Sequence, residues 1–130
     1  MTTLVDTDVL IWHLRGYAQA AQALDRLPRL TLSAMSYLEL LQGMRNKAEM
    51  AAVEQMFAQR QARILSITPA ITQRATELMT TLSLSHGLQA GDALIAATAL
   101  EHQLRLFTGN TKHFASISGL DVERFVLSPE

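Results

Sequence analysis

Short apolar, β-prone runs alternate with helical segments along this chain, and that alternation constrains its fold more than any other feature. The strand candidates are Thr2–Val5, Leu30–Leu32, Ile64–Ile67, Arg105–Phe107 and Val122–Phe125. Between them the sequence predicts helices over Val9–Arg15, Ala18–Leu27, a stretch from an N-cap at Ser33 to about Arg45, Lys47–Arg60, Ala70–Ser85 and Asp92–His102. Thr7 or Asp8 is available to cap the first helix, Gly16 marks a break, and Pro28 ends the second. Ile71, Ala75, Leu78, Met79 and Leu82 recur at the helical period; Pro69 suits the first turn of that helix and Gly87 its close. Strands separated by helices imply a parallel sheet covered on both faces, an α/β fold class. In such sheets sites form beyond the carboxyl ends of the strands. Asp6 stands at the end of the first strand, and Thr108, Gly109 and Asn110 at the end of the fourth.

Composition narrows the classes. At 130 residues the chain is expected to form one domain, residues 1–130, and 48% apolar content supports a well-buried core. No cysteine means no disulfide framework and no thiolate ligand or nucleophile, which is compatible with the cytoplasm. Asp6 and Asp8 interrupt the apolar start, so no signal peptide is expected, and no apolar run approaches a membrane span. The formal charge of −1 argues against a generally basic nucleic-acid binder, although nine Arg against two Lys skews the basic side towards bidentate contacts.

Three acids lie where solubility gives no reason for a charge: Asp6 after LV, Glu39 in MSYLELLQG and Asp92 in AGDALIAATAL. Glu49, Glu54, Glu77, Glu101, Glu123 and Glu130 lie in polar surroundings and read as solvated. Taken singly, Asp6 is explained as a turn or cap, Glu39 as part of a small polar stripe with Ser36 and Gly43, and Asp92 as an N-cap or a charge complementing the helix dipole. Jointly they say more. Carboxylates brought together repel unless a cation compensates, and the fitting cation is a hard one with oxygen ligands, Mg²⁺ or Mn²⁺. The chemistry that follows is metal-assisted attack of water on a phosphodiester.

The segments LVDTDVLIW, LSAMSYLELLQG and GDALIAATALEHQLRLFTGNTKHF, in this order and spacing, resemble PIN-domain ribonucleases of the VapC type, toxins of bacterial toxin–antitoxin pairs. The resemblance spans essentially the whole chain and is most specific in the last segment. It implies an α/β/α sandwich around a short parallel sheet, with Asp6, Glu39 and Asp92 as ligands for one or two Mg²⁺ or Mn²⁺ ions. It also implies a structured RNA substrate, a homodimer and a VapB-type antitoxin that obstructs the site. Asn110 stands where many PIN domains carry a fourth acid, which weakens the case for a tightly held second metal. Thr7, Asp8, Ser36 and Thr108 are expected to support the acids: Ser36 by hydrogen bonding near Glu39, Thr108 from the polar rim. His113 reads as a helix-cap or surface histidine rather than a general base. The roles of Trp12 and His13 stay open between packing and partner contact.

Other readings fit less well. A haloacid-dehalogenase-like phosphatase with Asp6 as nucleophile needs a placed Lys and a second late acid, but only Lys47 and Lys112 exist and Ala96 occupies the acid's place. A receiver-like module needs an Asp ending a central strand, and no Asp occurs between Asp25 and Asp92. An inactive PIN module that only binds a partner is disfavoured by the three retained acids, while Asn110 in place of a fourth keeps it open. Arg60 and Arg63 are candidate phosphate contacts, and Met35, Met44, Met50, Met56 and Met79 read as core or adaptable interface.

Overall fold

A computed structural model describes residues 2–128; Glu130 lies outside the described residues. The alternation expected from the sequence is present. Strands β1 (Thr3–Val5), β2 (Thr31–Ser33), β3 (Arg63–Leu65), β4 (Arg105–Thr108) and β5 (Val122–Arg124) are interspersed with helices α1 (Thr7–Leu14), α2 (Ala18–Asp25), α3 (Ala34–Gln42), α4 (Lys47–Gln59), α5 (Pro69–His86) and α6 (Ala90–His102). A 3₁₀ turn, Thr111–His113, follows β4.

Every ladder is parallel. β4 lies between β1 and β5, with Val5 opposite Phe107 and Thr108 opposite Arg124; β2 pairs with β3, Ser33 opposite Leu65. β2 also packs beside β1. Thus the chain moves from β1 to one side through β2 and β3, and to the other through β4 and β5. The reversal falls at β1 and β4, where a crevice opens at the carboxyl ends. Asp6 and Thr108 occupy those ends.

Alternating side chains on the strands feed two cores. On one face Leu4 and Leu106 pack with Ile71 and Ala75 of α5, Ala93, Ile95–Ala97 and Ala99 of α6, and Phe114. On the other, Val5, Leu32 and Phe107 pack with Val9 and Leu10 of α1, Ala20 and Leu24 of α2, Leu40 of α3, and Val53 and Met56 of α4. Helices therefore cover both faces, as an α/β/α sandwich requires. Met56 lies in this second core, Met35, Met44 and Met79 pack at the edges of the two cores, and Met50 is exposed.

Local signals act largely as expected. Ser33 Oγ accepts from Ser36 N at 2.9 Å and starts α3, Thr68 caps α5 with Pro69 behind it, and Gly87 closes α5 in the left-handed region at φ 67°. Three expectations are corrected. The cap of α1 is Asp6, not Thr7 or Asp8, because β1 leads directly into the helix and Asp6 Oδ1 accepts from Thr7 N. α3 ends at Gln42 rather than near Arg45; Arg45 instead turns to Glu49 in α4 with an ion pair of 2.7 Å. α6 begins two residues before Asp92, which is a first-turn acid and not the N-cap. There it complements the positive end of the helix dipole. No described helix is long and apolar enough to cross a membrane.

Candidate active site

β1, α1, α3, the start of α6 and the loop after β4 enclose an open cleft of about 570 Å³. Asp6, Asp8, Glu39 and Asp92 all line it, together with Asn110 and His113. No Lys or Arg is on its walls. The three acids singled out in the sequence, 86 residues apart from first to last (92 − 6), thus share one opening.

Asp6 is the most enclosed, with 4% exposure. Its Oδ1 accepts from Thr7 N at 2.8 Å and its Oδ2 from Thr108 Oγ1 at 2.7 Å. Burial, and then the neighbouring Asp8, push its pKa up from 3.8 to about 7 against the lowering effect of those two hydrogen bonds. Thr108 is expected at a polar rim but is fully buried beneath Asp6. Its hydroxyl also accepts from Asn110 N at 2.9 Å, so one side chain links the strand end to the loop. Asn110 is itself exposed at the mouth of the cleft.

Glu39 faces the cleft rather than solvent because α3 packs against both α1 and α6. Thr7 Oγ1 donates to Glu39 Oε1 at 2.7 Å, a contact between residues 32 apart in sequence. Ser36 does not serve this role. It is wholly buried, its N–H goes to Ser33, and its Oγ has no hydrogen-bond partner, while the α1 hydroxyl meets the carboxylate instead. Gly91 explains how Glu39 fits: a Cβ there would stand 2.8 Å from Glu39 Oε2. Gly91→Ala is expected to favour the helix intrinsically by about 1 kcal/mol yet displace that carboxylate, lowering activity at the cleft about tenfold or more. Activity and melting temperature measured side by side will separate the two effects, and full activity in the variant would show that the close approach is dispensable.

Asp8 is a clasp. Its Oδ1 accepts from Val9 N and its Oδ2 from Gly109 N, both at 2.9 Å, fastening α1 to the loop after β4. Burial raises its pKa. Asp92 is raised as well, first by burial and then by Glu39, with His113 opposing. His113 Nδ1 lies 3.2 Å from Asp92 Oδ2. The surface placement expected of His113 is correct, its side chain being 57% exposed, yet it stands at the cleft. No local pattern could have shown that, because the pairing joins α6 to the 3₁₀ turn.

Among the described residues no three His, Asp or Glu groups converge into a ready-made metal cage. Asp6, Asp8 and Glu39 are each held by donors of their own, and all four carboxylates line one space. Arg60, considered for phosphate contact, is instead paired with Asp25 at 2.9 Å. Trp12 packs edge-on against Tyr17 with centroids 4.8 Å apart.

The model of the PIN domain matches residues 3–120. The chain belongs to the PIN-domain family. Ribonuclease VapC10 of Mycobacterium tuberculosis is 41% identical over 115 residues, covering 85% of this chain and 84% of that protein. Ribonuclease VapC19 of the same organism is 35% identical over 117 residues, covering 85% and 90%. A toxin–antitoxin complex from Klebsiella pneumoniae contains a chain with 31% identity and a TM-score of 0.76, covering 92% of this PIN domain and 95% of that chain.

Proposed function

We propose that this PIN domain is a metal-dependent endoribonuclease, the toxin of a type II toxin–antitoxin pair, which hydrolyses phosphodiester bonds in structured RNA in the cytoplasm. The observation that carries this reading is the cleft of four carboxylates with no Lys or Arg on its walls, one of them raised to about 7. The names of the two ribonuclease relatives and the toxin–antitoxin structure support it.

The donor set fits a hard divalent ion. Asp6, Glu39 and Asp92 offer hard carboxylate oxygens, and no Lys or Arg on the cleft walls offsets their charge. Asp6, Asp92 and Glu39 would hold Mg²⁺ or Mn²⁺, which when bound supplies Lewis acidity and lowers the pKa of the hydrolytic water. The chain's own groups do the positioning. Thr7 N and Thr108 Oγ1 fix Asp6, and Thr7 Oγ1 fixes Glu39 by one oxygen. Glu39 Oε2, opposite Gly91, is left to accept a hydrogen bond from the attacking water and orient it. Asn110 offers its amide to water or to a phosphate oxygen at the mouth of the cleft. In-line attack by water leaves a 5′-phosphate and a 3′-hydroxyl. The protein acts as a homodimer, and a VapB-type antitoxin restrains it by obstructing the cleft.

The test is 5′-end mapping of cellular RNA incubated with the purified protein, with Mg²⁺ or Mn²⁺, with chelator, and with Asp6→Asn. Discrete new 5′-phosphate ends are expected only with metal and intact Asp6. Ends bearing 2′,3′-cyclic phosphate, or undiminished cleavage by Asp6→Asn, would sink the mechanism.

A further inference from the structure

A second pocket, about 520 Å³ in volume, adjoins the acidic cleft. It lies within the roughly 300–1,000 Å³ range of small-ligand sites. Its walls come from the end of α5, the turn into α6 and the segment after β4. Gln89, Asp92 and His113 line both spaces, so the Asp92–His113 pair is the ridge between them. The electrostatic character changes across that ridge. The cleft carries four acids and no Lys or Arg, whereas the pocket carries Lys112, His86 and His113, with Asp92 as its one acid. Asp92 already faces His113 at 3.2 Å. Lys112 enters none of the ion pairs found among the described residues, unlike Arg45, Arg60, Arg74 and Arg105. It is exposed and lies two residues beyond Asn110.

A strand of RNA crossing an acidic cleft carries further phosphates on either side of the bond being cut, and those need cationic partners that the cleft lacks. We infer that the pocket of Lys112 and His86 is a subsite for the phosphate and sugar of the nucleotide next to the scissile bond. Lys112 contacts the phosphate as a point charge, and the His86 ring offers an N–H donor or a stacking face. Contacts of this kind set the register of the strand without reading its sequence. The inference deepens the ribonuclease reading and rests on it.

The test measures binding of a fluorescein-labelled, mixed-sequence single-stranded oligoribonucleotide by anisotropy across a salt series without divalent metal. The proteins are Asp6→Asn and the same protein carrying Lys112→Ala, Lys112→Arg, His86→Ala or, as control, Lys47→Ala on α4. Lys112→Ala is expected to weaken binding about fivefold or more at low salt and to flatten the slope of log K against log salt by about 0.7, the loss of one phosphate contact. Lys112→Arg should keep the slope, His86→Ala should weaken binding less than Lys112→Ala, and Lys47→Ala should change nothing. Inorganic phosphate should compete only at concentrations far above those of RNA. An unchanged slope in Lys112→Ala, or an equal change in Lys47→Ala, overturns the subsite. So does loss of binding to a copurifying partner protein with RNA binding intact. If the unaltered chain cleaves RNA with metal while Lys112→Ala binds normally, only the subsite falls. If it neither cleaves nor binds RNA, the ribonuclease reading falls and takes the subsite with it.

Discussion

Asp6→Asn is expected to make the metal-free protein more stable at pH 8, and to do so less and less as the pH is lowered towards 4. Asp6 is buried, and its pKa rises from 3.8 to about 7 on folding. Between those values the folded protein binds the proton more tightly than the unfolded chain does. Its contribution to stability is therefore fully present below about 3.8 and is lost as pH rises through 7. A shift of about 3 units corresponds to a loss on the order of 4 kcal/mol at alkaline pH, at about 1.4 kcal/mol per unit. Burial of Asp8 and Asp92 adds to the same trend. An asparagine retains an oxygen for Thr7 N but presents an N–H to Thr108, which costs about 1 kcal/mol of hydrogen bonding. A net gain of about 2–3 kcal/mol at pH 8 should remain. Thermal melts in chelator at pH 5 and pH 8 will show it. Added Mg²⁺ or Mn²⁺ should raise the melting temperature of the unaltered protein and do little for Asp6→Asn. Equal pH slopes for the two proteins would mean that Asp6 is not the strained carboxylate.

The second large effect is expected from Phe114→Ala. Phe114 is 1% exposed and packs in the core shared by β1, β4, α5 and α6. It immediately follows the 3₁₀ turn that carries Lys112 and His113. Truncating a buried phenylalanine costs about 3–5 kcal/mol, or roughly 10 °C or more in melting temperature for a chain of this size. The loss should reach function too, because this buried ring directly follows the turn that carries Lys112 and His113. Leu84, wholly exposed on α5, is the comparison: Leu84→Ala should fall within about 0.5 kcal/mol of the parent. Urea melts of the three proteins decide the matter, and a cost below 1 kcal/mol for Phe114→Ala would show that the turn is anchored elsewhere.

The order of elements was legible in the chain's neighbouring residues, because hydrophobic period, caps and helix breakers act over a few residues. Ser33, Pro69 and Gly87 each mark a boundary through contacts with their immediate neighbours. The sequence also placed Asp6 and Thr108 at strand ends, and so pointed to a site. Element ends were less legible: α3 stops at Gln42 with Gly43 as its C-cap, and Asn46 starts α4 by accepting from Glu49 N, so two neighbouring caps cut a helical pattern that runs on towards Arg45. Only the tertiary structure decided which way Glu39 faces. Taken alone, its helical stripe pointed towards solvent, and the opposite outcome came from packing α3 across α1 and α6, with Thr7 as donor and Gly91 as the space it needs. The same holds for Thr108, buried under Asp6 rather than at the rim, and for His113, joined to Asp92 across 21 residues (113 − 92). Local propensities act through the chain's own backbone and are written in neighbouring letters. Hydrogen bonds, charge coupling and exclusion of water act through space, and they exist only once the sheet has brought distant residues to one edge.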